Sequence, residues 1–103
     1  MKKFTIIAGL NDQYTKKQEI TITEAYNRII TALKNHGADG ATFTECKGVY
    51  IHNDGTPVFE NSIKIELLFI EYEAVKAIAD ELKNTLNQEA VVIEVTEINS
   101  ELY

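Results

Sequence analysis

The side chains that could take part in covalent or metal chemistry are few and lie far apart along the chain. Cys46 is the only cysteine, and it could act as a nucleophile only with a lowered pKa. It lies in the middle of a predicted strand on the presumed core face, so we interpret it as a small buried apolar group. His36 and His52 have no histidine or cysteine at ligand spacing, so no metal site is predicted. A metal site assembled in three dimensions from His52 and carboxylates such as Asp54 stays open.

Carboxylates are the other candidates for reactive chemistry. Glu45, Glu60 and Glu66 could supply a general acid–base pair if association between subunits buried them. Their alternation along the predicted strands, with Lys64 nearby, favours a face of ion pairs instead. No serine–histidine–acid order and no glycine-rich phosphate loop is present. We therefore predict no catalytic residue and no cofactor.

Two segments are better candidates for binding than for reaction. The polar segment 11–19 interrupts the periodicity, and Tyr14, Lys16 and Lys17 could close over an anionic ligand in a cleft between subunits. The alternative for this segment is a solvated connector. The predicted hairpin tip forms a second candidate, a partner-contact surface made by Tyr50, His52 and Asn53.

Local signals predict the elements that position these residues. Thr21 and Glu24 have capping-box spacing before an apolar stripe of helical period, and Gly37 follows as the stop. A second helical pattern lies between Glu71 and Asn87. Extended patterns cover residues 4–8, 42–51, 58–70 and 90–96. The order predicts an α+β, ferredoxin-like βαββαβ fold in which a four-stranded antiparallel sheet carries two helices on one face. We expect one domain spanning residues 1–103.

The turn between the second and third strands sets their predicted register. Asp54-Gly55 is typical of a two-residue hairpin loop, which would place Glu45 opposite Lys64. In that register the helix-covered face includes Thr42, Thr44, Cys46 and Tyr50 together with Phe59, Ile63, Ile65 and Leu67. The other face would then mix charges with apolar residues such as Phe43, Val49, Ile51, Leu68, Ile70 and Val92. Because such a face is too apolar for free solvation, we predict a homo-oligomer, with a monomer as the alternative.

Composition limits the classes of partner. The formal net charge is −6, from 10 basic and 16 acidic residues, so binding to nucleic acid is not expected. No apolar run is longer than the four residues of 67–70, far short of a membrane span, so no membrane partner is expected. A single cysteine fits a reducing compartment, and we predict a cytoplasmic protein.

The chain resembles the PII signalling proteins and their wider superfamily. The helix end Ala32-Leu33, the glycines Gly37 and Gly40, and a strand reading Thr42-Phe43-Thr44-Glu45, then Lys47-Gly48, follow that family's order. The segment Ile63–Leu68 is similar to its third strand. The similarity covers roughly residues 26–95. It implies a trimer, favoured over a dimer, of ferredoxin-like subunits with ligand clefts between neighbours, acting as a non-catalytic sensor.

Two departures separate the chain from that family. The tip at residues 52–57 is short where PII proteins have a long partner loop, and residues 84–90 lack the glycine-rich run that holds ATP phosphates. ATP binding in the PII manner is therefore not expected.

From the fold and these departures, the sequence favours a regulatory or ligand-binding protein without catalysis of its own. It would bind a small anionic metabolite or nucleotide at inter-subunit clefts edged by Tyr14, Lys16, Lys17, Thr44, Glu45 and Lys47. Two alternatives stay open. One is a small dimeric ferredoxin-like enzyme with a pocket containing His52, Tyr50 or Glu45. The other is a partner-blocking inhibitor of phage or mobile-element origin.

Overall fold

The fold is a four-stranded antiparallel sheet with two helices. A computed structural model describes residues 1–103. In chain order the elements are β1 (Lys2–Gly9), α1 (Ile22–Asn35), β2 (Thr42–Ile51), β3 (Pro57–Leu67), α2 (Tyr72–Thr85) and β4 (Val92–Glu97). The strand order in the sheet is β2-β3-β1-β4. The predicted ferredoxin-like α+β class is confirmed.

The core lies between the helices and the two central strands. Alternate side chains of a strand point to the same face, so β1 and β3 each give one row of apolar residues to the helix side. The buried apolar strand residues are Phe4, Ile6, Ala8, Ile63, Ile65 and Leu67, and the buried helix residues are Ala25, Ile29, Ala32, Leu33, Val75, Ile78, Ala79 and Leu82. The second set has the helical spacing expected from the sequence.

Local capping fixes both ends of α1. The Thr21 hydroxyl oxygen accepts a hydrogen bond from the Glu24 backbone N–H at 3.1 Å. The Glu24 carboxylate does not return the bond; it pairs with Arg28 one turn later, at 3.6 Å. Gly37 follows the helix at φ +73°, a conformation that glycine adopts without the steric cost of a Cβ atom.

The predicted pairing of β2 with β3 is wrong by one residue. Thr44 lies opposite Lys64, whereas Glu45 lies opposite Ile63. The His52 N–H donates to the Thr56 carbonyl oxygen at 2.9 Å, so the loop is Asn53-Asp54-Gly55. Three-residue loops combine a type I turn with a left-handed residue, and Gly55 has φ +87°. The two-residue loop predicted from Asp54-Gly55 would have required a different register.

This correction exchanges the two faces of β2. Thr42, Thr44, Cys46 and Tyr50 share the helix-free face with Lys64, and Cys46 is not a core residue. The Cys46 thiol donates weakly to the Ser62 carbonyl oxygen at 3.6 Å. The helix side of β2 instead carries Phe43, Glu45, Lys47, Val49 and Ile51. The helix-free face is therefore largely hydroxyl-bearing and charged, so the apolar face predicted from the sequence is wrong.

No helix of the structure is both long enough and apolar enough to cross a membrane.

Candidate functional site

The clearest concave surface lies where β2 begins and β3 ends. It is a cleft of about 340 Å³ that we call the Gly40 cleft. Its walls are the α1–β2 turn, the β3–α2 link and one residue of the C-terminal segment. The lining residues are Gly37, Ala38, Asp39, Gly40, Ala41, Thr42, Glu66, Leu68, Phe69, Ile70 and Leu102. The cleft is thus mainly apolar, with a few polar groups, as is typical of sites for small molecules.

The α1–β2 turn offers backbone donors to this cleft. Gly37 N–H donates to the Lys34 carbonyl oxygen, and Ala38 N–H donates to that of Leu33 at 3.0 Å. The next three N–H groups, those of Asp39, Gly40 and Ala41, make no backbone hydrogen bond in the structure. A Cβ atom added at Gly40 would have no other atom within 4 Å, so the turn faces open space there. Three consecutive free donors can bind acceptor atoms of a ligand.

Glu66 supplies a carboxylate at the same cleft. It lies on the helix-free face at the end of β3, directly opposite Thr42. Its Oε2 atom is 3.3 Å from Lys3 Nζ, and both side chains are about one-third exposed. A carboxylate so placed can accept hydrogen bonds from ligand amine or hydroxyl groups.

The β3–α2 link contains an unusual backbone conformation. Phe69 has φ +56°, in the left-handed region that bulky residues rarely adopt. Such a residue costs about 1–3 kcal/mol and persists only where the surrounding structure requires it. Sequence periodicity predicted that β3 continues to Ile70, and this is wrong, because the strand ends at Leu67.

Phe69 separates the Gly40 cleft from a second one. The second depression, about 440 Å³, is lined by Met1, Lys2, Phe4, Phe69, Ile70, Glu71 and Tyr72, and we call it the Tyr72 cleft. Phe4 and Tyr72 pack their rings at a centroid distance of 6.0 Å. Two residues, Phe69 and Ile70, line both clefts.

The segment 11–19 lies at the other end of β1 and is internally bonded. The Asp12 carboxylate accepts hydrogen bonds from the N–H groups of Tyr14 and Thr15, at 2.8 and 3.0 Å, and from the Asn87 side-chain amide. These bonds lower the pKa of Asp12 below its ordinary value of 3.8, and the bond from Asn87 has the largest effect. The segment is therefore tied to the end of α2 by side-chain bonds.

Of the three binding residues predicted in this segment, Lys16 reaches a third, more polar cleft, whereas Tyr14 and Lys17 are not among its walls. This cleft has a volume of about 270 Å³, and its walls include Asn11, Asp12, Gln13, Lys16, Tyr50, Glu60 and Gln88. Lys16 and Tyr50 meet there, although the sequence assigned them to different surfaces. Lys16 Nζ is already bonded to the Gln13 carbonyl oxygen, and Tyr14 is largely exposed.

The residues predicted on β2 divide between the two faces of the sheet. Thr44 lies on the helix-free face, whereas Glu45 and Lys47 lie on the helix side. Within one subunit these side chains do not converge, so their role as a ligand edge stays a prediction. Glu60 and Glu66 share the helix-free face, but the Glu60 carboxylate is bonded to the Asn11 N–H at 3.0 Å. The three carboxylates therefore do not form one group.

The predicted partner surface lies on a projecting hairpin. Tyr50 and His52 place their rings edge to face, at a centroid distance of 5.4 Å. Asp54, next to Asn53, accepts a hydrogen bond from the Thr56 N–H at 2.9 Å, which lowers the pKa of Asp54 below 3.8. This carboxylate supports the turn. No group of three histidine, cysteine or acidic side chains lies close enough to hold a metal ion.

On its helix side, the hairpin exposes Phe59, which was predicted on the helix-covered face, together with Val49 and Ile51, which were predicted on the other face. Phe59 lies directly opposite Val49, and the two side chains are 69% and 56% exposed. Ile51 adds a third such side chain. Residues 57–61 of β3, which precede Ser62, have no β1 partner. The β2–β3 hairpin therefore extends past the body of the sheet. Exposed apolar side chains grouped in this way are typical of an interaction surface.

Comparison with solved structures gives matches along nearly the whole chain. A phage SAM lyase in complex with S-methyl-5′-thioadenosine is 30% identical, with a TM-score of 0.74, and the alignment covers 93% of this chain and 80% of that one. A phage SAM lyase in the apo state is 28% identical, with a TM-score of 0.76, over 99% and 91% of the two chains. The chain belongs to the family of this phage lyase.

More distant structures share the fold. CutA, the periplasmic divalent cation tolerance protein from Archaeoglobus fulgidus, is 17% identical, with a TM-score of 0.62, over 99% of this chain and 88% of that one. GlnK from B. subtilis, in complex with ATP, is 16% identical, with a TM-score of 0.56, over 95% and 84%. The fold implied by the resemblance to the PII-like superfamily is thereby confirmed. Neither a protein-family model nor a curated protein sequence matches the chain.

The Gly40 cleft is not among the sites predicted from the sequence. Gly40, Glu66 and Phe69 come from three segments, and only the fold brings them together. One signal was present: Gly37 and Gly40 both flank the start of β2, where a small-residue turn lets a ligand approach the backbone.

Proposed function

We propose that the protein binds S-adenosylmethionine in the Gly40 cleft and cleaves it to S-methyl-5′-thioadenosine. The observation that carries the proposal is the 30% identity with the phage SAM lyase over most of both chains. The cleft contributes apolar walls for a nucleoside, free N–H donors in its turn, and the Glu66 carboxylate. A site of this composition suits a planar base joined to a hydroxylated sugar.

The charge of the chain agrees with this substrate better than with an anionic one. S-adenosylmethionine carries a sulfonium cation, and the protein has a formal net charge of −6. A negative protein attracts a cationic ligand at long range. Asp39 and Glu66 place two carboxylates in the Gly40 cleft itself. We therefore propose a cationic substrate in place of the anionic metabolite expected from the sequence.

The reaction needs no group beyond substrate and protein to balance. The bond between the sulfonium sulfur and the adjacent methylene carbon of the amino-acid arm breaks, and its electron pair stays on sulfur to give the neutral thioether. The four-carbon arm then either closes on its own carboxylate as a lactone or loses a neighbouring proton to form an unsaturated amino acid. The protein would position the arm, and in the second case a carboxylate would accept the proton.

We further propose that the cleft is completed by a second copy of the chain, in a trimer as the PII resemblance implied. The exposed pair of Val49 and Phe59 with Ile51 supports association, because burying these side chains would stabilise it by the hydrophobic effect. Residues 1–103 would form one domain of that assembly. A cytoplasmic location is proposed from the single cysteine, which is not in a disulfide.

The decisive experiment is incubation of the purified protein with S-adenosylmethionine, followed by separation of the products and mass spectrometry. Formation of S-methyl-5′-thioadenosine in proportion to protein concentration is expected. The Glu66→Gln variant, which changes a residue of the cleft, is assayed beside the natural chain. Its folding can be checked by its melting curve. If the substrate stays intact at high protein concentration over hours, the lyase proposal is wrong.

A second candidate is adenine-ligand binding without turnover, as in a regulatory or signalling protein. It is favoured by the fold shared with GlnK, whose structure holds ATP. The same experiment separates the two functions when calorimetry is added. Binding of S-adenosylmethionine or S-methyl-5′-thioadenosine with no product would support the sensor, as the sequence analysis favoured.

A further inference from the structure

Phe69 combines a rare backbone conformation with an exposed ring. Its φ of +56° is unfavourable for any residue with a bulky side chain. The side chain is 55% exposed, so core packing does not explain why the conformation is kept. None of the aromatic pairs in the protein includes Phe69. Outliers of this kind cluster at binding and catalytic sites, where the surrounding structure holds them for a purpose.

The ring of Phe69 lies where a planar ligand could stack. It lines the Gly40 cleft together with the α1–β2 turn, where residues 37–41 read Gly-Ala-Asp-Gly-Ala. Glycine and alanine leave the backbone of that turn exposed, so one wall of the cleft is aromatic and another is largely peptide backbone. The free N–H groups of the turn can bond the polar edge of a heterocycle.

We propose that Phe69 is the base-stacking residue of the Gly40 cleft and that its left-handed backbone holds the ring against an adenine base. This inference rests on the proposed function, and it assigns one part of the substrate to one side chain. Stacking of a base on an aromatic ring contributes substantially to binding. It also tolerates any base with a π face, so Phe69 gives affinity, and hydrogen bonds at the edge of the base have to supply any preference for adenine.

Two variants that both remove the ring separate binding from folding. We expect Phe69→Ala and Phe69→Gly each to weaken binding of S-methyl-5′-thioadenosine about tenfold or more. Their stabilities should differ, because only glycine adopts a positive φ without strain. Phe69→Gly should therefore melt at a higher temperature than Phe69→Ala. Phe69→Tyr keeps a stacking ring and should retain the affinity of the natural chain.

Titration calorimetry with S-methyl-5′-thioadenosine as the probe, together with thermal melts, tests the inference. Val92→Ala is the matched control, since Val92 is half-exposed on β4, away from the cleft, and its variant should bind normally. If the natural chain binds the probe and both ring-free variants bind equally well, the stacking role is wrong while the proposed function stands. If the natural chain fails to bind the probe, the proposed function fails and the stacking role fails with it.

Discussion

Replacing Glu66 by Gln tests whether the Gly40 cleft recognises a nucleoside through a charged acceptor. The change keeps the shape of the side chain but removes its charge and one acceptor oxygen. Hydrogen bonds to charged groups contribute about 1.5–3 kcal/mol. At 1.4 kcal/mol for each factor of ten, we expect the dissociation constant of S-methyl-5′-thioadenosine to rise by about 10-fold to 150-fold.

The same substitution should affect folding much less. Glu66 is paired with Lys3 at 3.3 Å, but both side chains are about one-third exposed. Solvent-screened pairs of this kind contribute about 0–1 kcal/mol to stability. The melting temperature should therefore fall by no more than about 8 °C for a chain of 103 residues.

The control for this experiment is Lys3→Met, which removes the ion pair and leaves the carboxylate. We expect this variant to bind the nucleoside at least as tightly as the natural chain, because Lys3 no longer competes for Glu66. Isothermal titration calorimetry of both variants gives the comparison. The role of the carboxylate would be refuted if Glu66→Gln bound the nucleoside as tightly as the natural chain. It would also be refuted if Lys3→Met lost as much affinity as Glu66→Gln.

Three further predictions concern the register, a turn and pH. Oxidation should form a disulfide when Val49→Cys and Phe59→Cys are introduced together, because these residues lie directly opposite each other. The pair Val49→Cys with Glu60→Cys should stay reduced. Mass spectrometry that found the reverse would contradict the observed register. Gly37→Ala should lower stability by about 1–2 kcal/mol, measured by urea unfolding, because φ is +73° and no contact compensates. The lowered pKa of Asp12 stabilises the fold above the unfolded value near 3.8. Asp12→Asn should therefore be less stable than the natural chain at neutral pH, and this difference should disappear as pH falls through the folded pKa; a difference independent of pH would contradict the linkage.

The helices were predictable because their signals are local. The Thr21 cap, the Glu24–Arg28 pair and the stop at Gly37 each depend on residues within one or two turns, and the structure has all three. The hydrophobic period then identified the helix faces that meet the sheet. This part of the fold needed no knowledge of distant contacts.

The strand register was not predictable from the same kind of signal. Asp54-Gly55 is compatible with a two-residue loop and also with a three-residue loop that begins at Asn53. The apparent charge pair between Glu45 and Lys64 favoured the first, although a cross-strand pair contributes only about 0.2–1 kcal/mol. Packing of Phe43 against the core and against Tyr26 on the helix side favours the second. Because strand side chains alternate, this one-residue difference exchanged every side chain of β2 between faces.

That difference also decides whether the Gly40 cleft has two polar groups side by side. In the predicted register Thr42 would lie opposite Leu67, an apolar core residue. In the observed one it lies opposite Glu66, and both side chains line the cleft. A hydroxyl and a carboxylate on neighbouring strands can together bond a sugar or a base. The length of the turn after β2, which begins eleven residues beyond Thr42, thus determines the chemistry at the start of the strand. The polar groups of this site therefore could not be paired by reasoning residue by residue from the sequence.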